Sequence, residues 1–316
     1  MAFSGPGDFR TPWLKRGPGS FNGGVDPRKL FASGRKTLSF EFFPPKDEKG
    51  RHLLEDTILS LAPIGPDFTS VTDKVGGSQR HHTQEICAYI MEKTRIPAMA
   101  HLTCLGATRA DLRRILDDFH GNGIRAVMAL RGDPPKGAAH FTPTPGGCNY
   151  SGELIELVRA DGRFAVGCAS YPDGHPEAAS AQADWNVLAD KFKRGADFSV
   201  TQCFFDNDGY SRMLDHLRAT EKEAQVIPGI LPITNWKSVK RFCEACQSHV
   251  PPRLRALLDP IEDDPVACRR VGMETTIRQC EDLLLRRGAP GLHIYSLNRS
   301  TAAAEIVTSL RLLNVF

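Results

Sequence analysis

The sequence predicts an α/β protein, a single-domain (β/α)8 TIM barrel with an N-terminal extension. Three observations predict it. Short β-rich runs alternate with amphipathic helical stretches, which implies βαβ units and a parallel sheet. Eight such runs recur about every 30 residues, with a longer gap before the last. Residues 37–316 number 280, which suits a barrel of about 250 residues with one helical insertion near 250–265. A doubly wound sheet would carry a Gly-rich GxGxxG turn after its first strand, and none is present.

The strand candidates in order are 37–44, 67–73, 96–104, 125–132, 164–172, 198–206, 226–233 and 291–298. Helical segments such as ADLRRILDDFHGNG and SAQADWNVLADKFKRGA lie between them. Residues 1–36 read as a flexible arm: six Gly and three Pro in the first 25 positions leave too little apolar surface to offset ordering. A lid over the site is the alternative for this arm. The stretch 133–150 is a long loop after the fourth strand, a usual place for function on this fold.

Composition excludes several classes. The chain has 316 residues, 41% hydrophobic and 24% charged. Forty Lys and Arg against 37 Asp and Glu leave a net charge of +3, without the basic stripe of a nucleic-acid protein. No apolar run reaches the length of about 18 residues needed to span a membrane. No secretory signal is visible, so a cytoplasmic location is expected. The nine cysteines are then expected to stay thiols.

A barrel places its site at the C-terminal ends of the strands. Strand one carries Glu41 within FEFFPP, where flanking phenylalanines predict a desolvated carboxyl suited to donate a proton. The bland reading is a core Glu paired with a base. The second strand ends in Thr72, Asp73 and Lys74, and the third holds His101. The fourth ends in Arg131, Gly132 and Asp133, and the fifth in Tyr171 to Glu177. The sixth carries Gln202, and the eighth ends in Asn298 and Arg299. Together these polar ends predict a small-molecule site.

Other constellations are poor. Cys243 and Cys246 have CxxC spacing but lie in an apparent helix, with no second CxxC at zinc spacing. His81 and His82 lack a carboxylate at ligand spacing, and no metal site is expected. Gly76-Gly77-Ser78 before a helix is a weak anion-binding signal beside a plain helix start.

The blocks SFEFFPPK, AHLTC, GIRAVMALRGDPP, ASYPDGHPEA, SAQAD, TQCFFD, IPGILPITN and YSLNR occur in this order. Over nearly all of 37–300 the chain resembles the methylenetetrahydrofolate reductases. The resemblance implies a (β/α)8 barrel that reduces 5,10-methylenetetrahydrofolate to 5-methyltetrahydrofolate with NADH or NADPH, usually through bound FAD. Glu41 matches the general acid that protonates N10 of the folate. Asp133 matches the carboxylate that stabilises the resulting 5-iminium cation. Gln202 matches a pterin-contacting amide, Arg299 a substrate-binding arginine, and Phe242 an aromatic that stacks on folate or nicotinamide. Thr72 matches a position near nicotinamide and flavin. His101, Arg131, Gly132, Tyr171, His175, Asp184 and Lys191 match places that contact FAD.

Four positions depart from the flavin pattern. The usual VTYGAGGS reads VTDKVGGS, placing Asp73 and Val75. After SAQAD, Val187 replaces an Asn and Asp190 replaces an Arg. Asp190 would repel a diphosphate, and Val187 would leave a polar group unpaired. Two readings follow: direct hydride transfer from nicotinamide to folate without flavin, which we favour, or an FAD enzyme with altered contacts. A non-catalytic folate-binding protein and a related barrel oxidoreductase are the alternatives from other classes. The partners implied are the folate and the nicotinamide nucleotide, with no nucleic acid and no membrane. With the chain ending at Phe316, inhibition by adenosylmethionine through a later regulatory domain is not expected.

Overall fold

The structure is a computed structural model, which describes residues 30–31, 34–73, 80–133, 142–221 and 223–316. Lys74, Val75, the Gly76-Gly77-Ser78 run, the side chain of His81, most of the arm and residues 134–141 lie outside the described residues.

All described strand pairs of the barrel are parallel. The strands are β1 (Thr37–Phe42), β2 (Phe68–Val71), β3 (Ala98–Thr103), β4 (Ala126–Leu130), β5 (Ala165–Ser170), β6 (Phe198–Thr201), β7 (Val226–Ile227), β8 (Gly229–Ile230) and β9 (Gly291–Tyr295). Their order is β7-β6-β5-β4-β3-β2-β1-β9-β8. The ring closes because β7 and β8 flank one residue, Pro228, and together fill a single barrel position. Pro228 has no N–H to donate, so the expected strand 226–233 breaks there. Its carbonyl still serves the closure, accepting from His293 N at 3.0 Å.

The helices follow the strands: α1 (Glu48–Leu61), α2 (Arg80–Thr94), α3 (Arg109–Gly121), α4 (Ser151–Asp161), α5 (Ala181–Lys193), α6 (Asn207–Arg218) and α7 (Trp236–Cys246). Then come the insertion helix α8 (Pro252–Leu258), α9 (Pro265–Leu285) and α10 (Ser300–Leu312). Local sequence fixes many of their starts. Asp47, Ser180, Asp206, Asn235 and Asp264 each accept a backbone N–H of the first turn. Thr108 and Asp111 form a reciprocal capping box on α3.

Strand alternation separates two cores. Leu38, Phe40 and Phe42 point outward and pack with Leu54 and Ile58 of α1. Inside the barrel, Phe68, Met99, Met128, Phe198 and Ile227 form a separate apolar plug. Leu30 and Phe31 pack against that plug, Phe31 with its ring 5.2 Å from Phe198. The interior is therefore apolar below and polar above, which sets the depth of the site.

Candidate functional site

Above the plug, the inward positions of β1, β2, β3 and β9 are Ser39, Glu41, Ser70, His101, Thr103, His293 and Tyr295. Register places Glu41 beside Ser70 on one side and Tyr295 on the other. The Glu41 carboxylate lies 3.5 Å from His101 Nε2 and 3.6 Å from His293 Nε2. The phenylalanines next to it in sequence do not surround it. Phe40 and Phe42 face the helices, contrary to the expected desolvation by flanking phenylalanines: two imidazoles, not phenyl rings, are the near neighbours of Glu41.

His293 is fully buried and hydrogen-bonded at both nitrogens. Ser39 Oγ donates to the Leu292 carbonyl at 3.2 Å, and so accepts from His293 Nδ1 at 2.7 Å. That network assigns the proton to Nδ1 and leaves a lone pair on Nε2. Ser70 Oγ lies 3.3 Å from the same Nε2. Burial lowers the His101 pKa from its ordinary value, and the neighbouring Glu41 opposes the shift. His293, Ser39 and Ser70 were missed by sequence reasoning, although Gly291, His293 and Tyr295 share the inward parity of β9.

The rim is stitched to this wall. Ser296 Oγ donates to the Glu41 carbonyl at 2.6 Å. Asn298 accepts from Phe43 N at 3.1 Å and donates to Phe43 O at 2.8 Å. Both Leu297 and Asn298 adopt positive φ, 49° and 52°, to make the turn. It delivers Arg299, exposed, to the start of α10. Tyr295 Oη reaches across to Thr201 O at 2.6 Å, next to Gln202. This crossing requires Gly229, where a Cβ would lie 2.5 Å from the Tyr295 hydroxyl. Gln202 N donates to Ser170 O at 2.8 Å, and its Oε1 accepts from Cys203 N at 2.9 Å. Phe242, half-buried on α7, packs on the cluster that holds Cys203 and Leu231.

Asp133 is exposed at the end of β4. It and Asp184 both bear on Tyr171, whose hydroxyl is pushed up to about 12, chiefly by burial. The Tyr171 ring meets His175 edge-on at 4.8 Å. Burial raises Asp184, while Lys191 and His175 pull it back. Lys191 Nζ donates to Ala169 O at 2.8 Å. Gly132 turns with φ 90°, and Arg131 forks onto Glu177 at 2.6 and 3.0 Å. Thr72 N donates to Phe42 O at 3.0 Å, and Asp73 accepts from Thr103 Oγ1 at 2.9 Å. Val187 and Asp190 do not join this group. They sit on the exposed side of α5, where Asp190 pairs with Arg194 at 2.5 Å.

A family model described as Methylenetetrahydrofolate reductase matches residues 27–311. The chain belongs to the methylenetetrahydrofolate reductase family. It is thus an oxidoreductase. A 5,10-methylenetetrahydrofolate reductase of Pectobacterium carotovorum is 36% identical over 277 residues, covering 88% of this chain and 91% of that one. The Escherichia coli K12 enzyme of that name is 35% identical over the same span. Methylenetetrahydrofolate reductase (NADH) 1 of Arabidopsis thaliana is 33% identical, covering 91% of this chain and 50% of its own. A solved Clostridium thermocellum protein, described as binding two copies of 5-methyl-5,6,7,8-tetrahydrofolic acid, shares the fold with a TM-score of 0.60 at 14% identity, covering 90% of this chain and 99% of its own. Among the described residues no helix is long and apolar enough to cross a membrane.

Proposed function

We propose that this member of the family reduces 5,10-methylenetetrahydrofolate to 5-methyltetrahydrofolate by direct hydride transfer from NADH or NADPH, with Glu41 as the general acid. The observation that carries the reading is the Glu41 carboxyl, set inside the barrel mouth between two imidazoles. A proton on Glu41 passes to N10 of the folate, and the C–N10 bond of the five-membered ring breaks. The 5-iminium cation that results accepts a hydride at its exocyclic carbon. Substrate, reduced nucleotide and one proton thereby become methylated product and oxidised nucleotide. His293 Nε2, which also meets Ser70 Oγ, lies 3.6 Å from the Glu41 carboxyl. Asp133 places negative charge near the developing cation. Gln202 binds the pterin edge, Phe242 stacks on a ring, and Arg299 meets the anionic end of the folate.

The residues at the flavin-matching positions fit a diphosphate poorly. Arg131 is paired with Glu177, and Lys191 donates to the Ala169 carbonyl. No step is therefore routed through flavin. The other reading keeps FAD, and it draws on the retained group Tyr171, His175, Asp184 and Lys191. NAD(P)H oxidation by flavin-stripped protein with 5,10-methylenetetrahydrofolate, without and with FAD, separates them. Turnover without FAD and no gain on adding it is expected. Turnover only with FAD would overturn direct transfer, and silence in both would favour a folate-binding protein.

A further inference from the structure

Helix α9 carries apolar residues on two faces. Its inner face, with Cys268, Thr276 and Leu283, is buried against the rest of the chain. There Thr276 Oγ1 accepts from Ile233 N at 3.2 Å, and Gln279 Nε2 donates to Phe204 O at 2.8 Å. The outer face leaves Val266 and Leu285 open to solvent, 77% and 54% exposed. A groove of about 680 Å³ runs along this face, lined by Val266, Arg270, Met273, Ile277, Glu281 and, just past α10, Leu313. A helix that packs on one side only needs a single apolar stripe, so the second one calls for a partner.

The charges on the outer face identify that partner. Val266, Arg270, Glu274, Ile277, Glu281 and Leu285 follow one another at helical steps of three or four and so form one stripe. Arg270 and Glu281 stand about 16 Å apart along the helix, too far to meet within one chain. Among the described residues neither has an ion-pair partner. Their neighbours do: Arg269 pairs with Glu305 at 2.5 Å, and Arg278 with Glu274 at 2.6 Å. A second α9 laid antiparallel, about a two-fold axis between Thr275 and Thr276, sets Val266 opposite Leu285 and Arg270 opposite Glu281. We propose that two copies of this chain pair through α9 in this way, Arg270 of each copy meeting Glu281 of the partner subunit. The axis makes that ion pair twice, once on each side of a centre filled by Met273 and Ile277 of both copies. Leu313 widens the patch toward the area of about 1,000 Å² or more that a stable pair buries. The pairing is independent of the reaction proposed above.

Sedimentation velocity of the full chain, from about 1 to 100 μM, reads the assembly. A dimer is expected. Arg270→Glu and Glu281→Arg each put like charges together at both ends of the contact, and each should raise the dimer dissociation constant about tenfold or more. The double variant restores opposite charges and should bring the constant back to within about threefold of wild type. Denaturation midpoints of the single variants should stay at the wild-type value, because both side chains are without partners in one chain. A wild type that stays monomeric overturns the pairing and gives the groove to an unlike partner. An assembly that neither reversal weakens, or that the double variant fails to restore, overturns this face as its contact.

Discussion

The two sides of the barrel mouth are built on different principles. On the wall made by β1, β2, β3 and β9, polar groups point inward and answer one another over less than 4 Å: Glu41, His101, His293, Ser39 and Ser70. On the arc made by the ends of β4 and β5 with α5, the charges answer each other outward, as Arg131–Glu177 and Asp190–Arg194. Groups on the wall are desolvated, so each depends on its partner. Those on the arc sit partly in solvent, where a charge is screened and its loss is tolerated. Changes on the wall should therefore remove chemistry or stability, and changes on the arc should tune ligand affinity.

The largest effect is expected from Glu41→Gln, which keeps shape and removes the proton donor. Folate reduction should fall about 10²-fold or more, the usual contribution of a general acid, with nucleotide binding retained. Single-turnover reduction beside a nucleotide titration measures both. Unchanged turnover would take the acid off this wall. Next is His293→Phe, which takes the Nδ1 donor from Ser39 and the Nε2 partner from Ser70. We expect a loss of roughly 1–3 kcal/mol in chemical denaturation. A neutral result would mean that the wall's hydrogen bonds do not hold the barrel together. Gly229→Ala should cost a similar amount, about 1–3 kcal/mol, because the new methyl meets the Tyr295 hydroxyl and the Thr201 carbonyl.

Much of the wall was legible in the sequence, because parity along a strand needs only local pattern. Glu41 and His101 stood out as polar residues on otherwise apolar strands. His293 was readable by the same parity and was passed over, since its partner Ser39 lies 254 residues away. The break at Pro228 hid in an apolar run, where only ring closure shows why two short strands replace one. The arc was least legible. Asp190 looked like a bare negative charge because Arg194, one turn on, was not read as its partner. The Arg131–Glu177 fork spans 46 residues and two loops, beyond what strand or helix periodicity reports.

A smaller effect on the wall is its dependence on pH. Burial depresses His101 in the folded chain below its ordinary value of 6.5. The unfolded chain then binds more protons than the folded one between the two values, so stability rises with pH across that window. The contribution is complete above about 6.5 and is lost as pH falls toward the folded value. Denaturation midpoints between pH 5 and 8 should show it, and His101→Gln should flatten the slope. An unchanged slope in that variant would place the titrating group elsewhere.

The smallest effect is expected on the arc, from Val187→Asn combined with Asp190→Arg. This double change restores the residue types of the flavin pattern on an exposed helix face. It adds a cation that solvent screens, and it leaves Arg131 on Glu177 and Lys191 on the Ala169 carbonyl. FAD affinity, read by flavin fluorescence, should rise by less than about tenfold, and the gain should shrink with added salt. The denaturation midpoint should not move, because Arg194 keeps Glu156 as a partner. A gain of several orders of magnitude would mean that two exposed positions decide the cofactor. The arc would then carry as much of the chemistry as the wall, and the contrast between them would fail.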